Sequence, residues 1–165
     1  MADENVGNEY SRNPTVDDLV LICKHLNDAG ALYVVVGGFA MIHHKMLRGT
    51  VDIDLLVEPS EQNMVAVKKG LECLPDRAVR QVDPKELLQY TVIRVADEVL
   101  VDLMGRACDV TYNDVRDDIE FETIDGVRIP YLNAKAMLKT KQTLRAQDEL
   151  DRLYLQSLLQ SQKSK

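Results

Sequence analysis

No apolar run in this sequence approaches the roughly 20 residues that span a bilayer, so a transmembrane segment is not expected. Cysteine is scarce: Cys23, Cys73 and Cys108 stand far apart and form no CxxC pair. An odd, scattered set argues against a disulfide framework or a cysteine metal site and suits reduced thiols in a cytoplasmic protein. Internal repeats, long linkers and low-complexity segments are also missing, which makes one domain the economical reading of 165 residues. Positive charge is outnumbered, with 20 Lys and Arg against 27 Asp and Glu, and a net charge of −7 opposes wholesale coating by nucleic acid. The imbalance is uneven. Acids dominate from Asp97 to Asp125, whereas Lys135, Lys139, Lys141, Arg145 and Arg152 bring positive charge to the C-terminal helices.

Residues 1–13 are polar and acidic, lack the apolar core of a secretory signal, and read as a flexible leader. A single domain is expected over residues 14–160, with a frayed tail over 161–165. Thr15 with Asp17 and Asp18 marks a helix start, and Val16, Leu19, Val20, Cys23 and Leu26 follow at helical spacing up to Gly30. Ala31 to Val36 is a β-branched run read as a buried strand. Gly37-Gly38 then turns the chain into a helix expected over Phe39 to Leu47. Val51 to Val57 is the next strand, and Ser60 caps a helix to about Gly70. A short helical stretch is expected near Lys85 to Leu88. Tyr90 to Val95 and Glu98 to Met104 read as a hairpin, and Asp125-Gly126 marks a second between Ile119–Ile124 and Val127–Pro130. Helices capped by Asn133 and starting near Ala146 complete an α/β chain.

The chemistry is concentrated in two apolar strands. In Val51-Asp52-Ile53-Asp54-Leu55, alternation projects Asp52 and Asp54 from one face, roughly 7 Å apart along the strand. Asp102 interrupts a second run, Val99 to Met104. A carboxylate on a strand's core side is costly unless a charge neutralises it, so three of them suggest a divalent-metal site. Carboxylate oxygens suit one or two Mg²⁺ ions. Gly37-Gly38, between a strand and a helix, leaves room for backbone N–H groups to approach phosphates.

Together, Gly37-Gly38, Asp52-x-Asp54 and Asp102 resemble the nucleotidyltransferase superfamily typified by DNA polymerase beta. The wording GG…R-x-T-x-D-I-D-L-L-V looks like the AbiEii-type branch of small bacterial nucleotidyltransferases, which includes toxins of toxin–antitoxin systems. The resemblance spans about Leu32 to Met104. It implies a minimal nucleotidyltransferase fold of α+β type, a mixed sheet flanked by helices with further helices at the C-terminal end. It implies transfer of NMP from an NTP to a hydroxyl acceptor, which could be RNA, a protein or a small molecule, with Mg²⁺ or Mn²⁺ as cofactor and two ions expected. Asp52 and Asp54 would bind both metals. Asp102 would bind the catalytic metal and help deprotonate the acceptor. Gly37 and Gly38 would hold the nucleotide phosphates, although many members of the superfamily carry Gly-Ser there.

Arg48 and Thr50 occupy the R-x-T positions. Arg48 could meet a phosphate through its planar fork or pair with a nearby acid, and Thr50 reads as a strand-entry residue. Lys139 or Lys141, with Arg145, Asp148 and Asp151, resembles the K…R-x-x-D-x-x-D pattern of AbiEii-like domains, with Lys141 preferred as the phosphate-binding lysine. His43-His44 reads as a surface or packing pair, because adjacent helical histidines point apart and would not share a metal. So short a chain leaves little room for an acceptor-binding domain, and a homodimer or partner protein is expected to complete the site. A non-catalytic nucleotide- or partner-binding module on the same scaffold is the alternative.

Overall fold

The structure is a computed structural model, and it describes residues 11–164. Thr15 opens helix α1 (Val16–Asp28) through a reciprocal capping box, with its own N–H donating to Asp18 Oδ2 at 2.7 Å. The buried positions of α1 are Leu19, Ile22, Cys23 and Leu26, one stripe at helical spacing. The first ten residues of the expected leader lie outside the described residues. Ser11 and Arg12 are pinned to the 97–98 turn: Ser11 Oγ donates to the Asp97 carbonyl at 2.7 Å and the Arg12 N–H to the Glu98 carbonyl at 2.9 Å.

Six strands form one mixed sheet in the order β3-β4-β2-β1-β6-β5. They are β1 (Tyr33–Val36), β2 (Asp52–Val57), β3 (Val92–Ala96), β4 (Leu100–Met104), β5 (Ile119–Ile124) and β6 (Val127–Leu132). The β1–β2, β3–β4 and β5–β6 pairs are antiparallel, while β2–β4 and β1–β6 are parallel. Both expected hairpins form. In the second, Asp125 and Gly126 both take positive φ, 51° and 78°, as a two-residue turn between strands requires.

Helix α2 (Gly37–His43) packs on β1, β2 and β6. Ser60 caps α3 (Glu61–Leu71) by accepting the Asn63 N–H, and α3 packs on α1. A one-turn helix α4 (Tyr112–Val115), which the sequence reading does not anticipate, leads into β5. Asn133 caps α5 (Ala134–Lys139), which packs on α6 (Ala146–Lys163). Helix α6 runs through most of the tail expected to fray. No helix among the described residues is long and apolar enough to cross a membrane.

The expected helix over Phe39 to Leu47 starts two residues earlier and stops four residues sooner. Lys45 takes φ 72°, its N–H donates to the Ile42 carbonyl at 2.9 Å, and the Met46 N–H reaches back to the Met41 carbonyl at 3.1 Å. These bonds are a Schellman stop with lysine where glycine is usual. The sequence therefore carries no glycine to announce the helix end.

Gly70 marks the closest approach of α3 to α1. A Cβ there would lie 2.9 Å from Leu26 Cα and 2.7 Å from Leu26 Cδ2. Gly70→Ala is therefore expected to destabilise the protein by about 1–3 kcal/mol through overpacking, against the up to ~1 kcal/mol that alanine gains in a helix. Urea unfolding measures it, and an unchanged or higher midpoint would refute so tight a helix contact.

Candidate functional site

The parallel pairing of β2 with β4 sets Asp54 level with Asp102. Strand alternation then turns Asp52, Asp54 and Asp102 to one face, while Ile53, Leu55, Val101 and Leu103 fill the opposite face without exposure. One carboxylate oxygen from each acid lies within 4.8 Å of the other two. Three ionised groups this close repel one another strongly.

A neighbouring strand relieves part of that repulsion. Arg94 of β3 stands directly across from Asp102. Its Nε donates to Asp102 Oδ1 at 2.8 Å and its Nη2 to Asp102 Oδ2 at 2.9 Å, with a further bond to Asp52 Oδ2 at 3.2 Å. The bond to Asp102 raises the Arg94 pKa further above its ordinary value. One guanidinium cannot balance three carboxylates. Among the described residues no cation lies within ion-pair distance of Asp54. Burial, then the charges of Asp52 and Asp102, push the Asp54 carboxyl from its ordinary 3.8 up to about 8. Asp52 moves in the same direction, through burial and then the charge of Asp102. Sequence reasoning did not single out Arg94. Its signal was position alone, a long cation between buried Ile93 and Val95 on the strand beside Asp102.

Gly37 and Gly38 begin α2 against β2. Gly37 takes φ 67°, and a Cβ on it would overlap Asp54 Oδ2. A Cβ on Gly38 would come within 2.5 Å of Thr50 Oγ1. The glycine pair is thus required for the turn to pass over the second carboxylate, before any ligand is considered. Thr50 is a strand-entry residue, its hydroxyl donating to the Asp52 carbonyl at 2.9 Å.

Across the pocket, Asp151 of α6 is fully buried and gathers three donors. Arg48 Nη1 reaches it at 2.6 Å, Lys141 Nζ at 2.9 Å and Gln147 Nε2 at 2.9 Å. Burial alone would raise the Asp151 pKa, but Lys141, Gln147 and Arg48 hold it below the ordinary carboxylate value. Asp148, one turn away, lies 3.5 Å from Lys141 and accepts from the Thr143 hydroxyl. Lys141 is buried and lines the pocket, whereas Lys139 is exposed. Arg48 lines the pocket and is paired to an acid, Asp151.

The pocket has a volume of about 420 Å³, and its lining includes the three carboxylates and Arg94 together with Arg48, Lys141, Arg145 and Asp148. It is large enough for a small ligand, and its lining offers a candidate cation site beside cations that are themselves paired with Asp148 and Asp151.

No protein-family model matches the chain, and no curated protein matches it significantly. Among solved structures, a protein of Thermotoga maritima described as a "putative nucleotidyltransferase" matches with a TM-score of 0.53 and 15% identity, covering 90% of this chain and 92% of that one. At that identity the likeness is one of fold. The mixed sheet with flanking and C-terminal helices is like that of a nucleotidyltransferase.

The raised Asp54 pKa sets a pH dependence. Below about pH 4 its contribution to stability is fully present. Above that, the unfolded chain releases a proton that the folded chain keeps, so stability is lost as pH rises through about 8. In chelator, the melting temperature of the wild type is expected to fall more steeply between pH 5 and about 8 than that of Asp54→Asn. Parallel curves would contradict this environment for Asp54.

Proposed function

We propose that this protein is a metal-dependent nucleotidyltransferase that moves an NMP unit from an NTP to a hydroxyl acceptor and releases pyrophosphate. One observation carries the reading: the oxygens of Asp52, Asp54 and Asp102 converge within 4.8 Å in a pocket that also holds Arg48 and Lys141. The donor set is all carboxylate oxygen, the class that suits Mg²⁺ or Mn²⁺. With all three acids ionised, Arg94 leaves two negative charges uncompensated, which fits a divalent ion.

When bound, one or two such ions would polarise the phosphates and lower the pKa of the attacking hydroxyl. Asp52 and Asp54 would hold them, and Asp102 would bind the catalytic one. Asp102 would take the acceptor proton on a carboxylate oxygen, which requires Arg94 to yield one of its two bonds there. The acceptor oxygen forms its bond to the α-phosphorus as the α–β bridging bond breaks, and pyrophosphate leaves with the electron pair. Gly37 and Gly38 would offer backbone N–H groups to the phosphates. Lys141 and Arg48, both held in direction by Asp151, would neutralise phosphate charge without reorganising during the reaction. The proposal extends to the AbiEii-type branch and its toxin role. The acceptor is RNA, a protein or a small molecule, and a homodimer or partner protein would help to hold it.

Arg94 favours a second reading, a non-catalytic binding module in which the guanidinium takes the place of a cation between Asp52 and Asp102. Two measurements separate the readings. In calorimetric titrations, Asp52→Asn with Asp54→Asn is expected to weaken Mg²⁺·NTP binding at least roughly tenfold with the fold intact. Unchanged affinity would remove the metal assignment. With α-³²P-labelled NTP and a cell extract as acceptor source, label transfer by wild type and not by Asp102→Asn supports the enzyme. NTP binding without transfer supports the module.

A further inference from the structure

A second cluster of ligating groups lies at the other end of α2 from the glycine turn. His43 is the last residue of α2 and His44 its C-cap, and both rings lie against the β5–β6 hairpin. Their centroids are 4.9 Å apart. Both face one oxygen of Glu120: His43 Nε2 lies 2.9 Å from Glu120 Oε1 and His44 Nδ1 lies 3.7 Å from it. The expectation that these histidines point apart fails: both rings reach Glu120, although the His44 N–H still makes a helical bond to the Ala40 carbonyl at 3.0 Å.

The remaining ring nitrogens are occupied. His44 Nε2 is 2.8 Å from the Leu132 carbonyl, which can only accept, so this nitrogen carries the proton. In the neutral ring, the Nδ1 lone pair is then left facing Glu120. His43 Nδ1 is 3.0 Å from Glu122 Oε2, and the His43 ring stacks on Tyr131 at 4.0 Å. With Nδ1–H donating to Glu122, His43 Nε2 likewise turns a lone pair toward Glu120. In that tautomer two imidazole lone pairs and a carboxylate oxygen converge, an arrangement one cation can serve. One proton on His43 Nε2 satisfies only the shorter contact, and His44 Nδ1, 3.7 Å from Glu120, then has no protein hydrogen-bond partner among the described residues.

We infer that His43, His44 and Glu120 form a divalent transition-metal site of the Zn²⁺ class, with a fourth position open to water or an exchangeable ligand. Two neutral imidazoles and one carboxylate are a ligand set zinc takes when one position is left open. Each imidazole is oriented through its other nitrogen by an acceptor, Glu122 for His43 and the Leu132 carbonyl for His44, as metal-bound histidines are. The three ligand atoms lie within 4.8 Å of one another. A tetrahedral ion would settle them at separations of about 3.4 Å. Glu120 belongs to edge strand β5 and is half exposed, so the fourth position opens outward. Such an ion clamps the C-terminal end of α2 to the sheet edge, while its other end carries the turn over Asp54.

The test is titration of the full metal-free chain with Co²⁺ in millimolar Mg²⁺, read by visible absorption, with Zn²⁺ as competitor. The expected result is one equivalent of tetrahedral Co²⁺ with no thiolate charge-transfer band. Zn²⁺ should displace it, and it should persist in Asp52→Asn with Asp54→Asn. Glu120→Gln and His44→Gln should each weaken it at least roughly tenfold. A weak octahedral spectrum, a thiolate band, or loss of the signal with the Asp52 and Asp54 substitutions would overturn the site. So would affinity unchanged in Glu120→Gln, a near-isosteric change at an exposed position that keeps the fold testable if His44→Gln unfolds. Carbethoxylation of His43 and His44, read by mass spectrometry, should slow when Zn²⁺ is added; an unaffected rate would also overturn it.

Discussion

The pocket depends on the parallel register between β2 and β4. Because Asp54 is level with Asp102, two carboxylates on adjacent strands share a face, and Asp52 joins them two residues away. A one-residue slip of either strand would turn its acid into the core and a leucine or valine into the pocket. What resists the slip is the opposite face, where Ile53, Leu55, Val101 and Leu103 have no exposure at all. The carboxylate cluster is an electrostatic load that apolar packing holds in place.

That load is compensated unevenly. Arg94 answers Asp102 fully and Asp52 in part, and Asp54 receives no ion pair among the described residues. On the other side of the pocket, buried Asp151 is matched by Arg48 and Lys141 together. A pocket that combines an under-compensated carboxylate cluster with cations directed by Asp148 and Asp151 suits a metal ion carrying a polyphosphate. The proposed reaction rests on this asymmetry more than on any single residue.

Helix α2 links the two sites discussed above. Its first residues are glycines because Asp54 and Thr50 leave no room for a Cβ. Past its last residue a left-handed lysine stops the helix, next to two histidines that face Glu120. Seven residues thus connect the carboxylate pocket to the edge of the sheet, so that an ion at the histidine end would restrain the glycine turn.

By itself the sequence determined the six strands, the longer helices and the shared face of Asp52 and Asp54, because these follow from local rules, whereas the one-turn helix α4 did not show in it. Alternating apolar residues in Val51 to Val57 oblige Asp52 and Asp54 to share a face whatever surrounds them. Thr15, Ser60 and Asn133 announce helix starts through side chains that bond their own backbone. Asp125-Gly126 announces a turn through φ preference. The end of α2 was illegible because its stop uses Lys45, whose left-handed conformation has no compositional mark. Only the tertiary structure decided which strands are neighbours. It alone brought Arg94 to Asp102, placed Lys141 rather than Lys139 in the pocket beside Asp151, and set His43 and His44 around Glu120, residues 77 and 76 positions away in the chain. Those pairings depend on strand order and helix docking, which are settled by the packing of the whole apolar core and leave no trace in the spacing of the residues that meet.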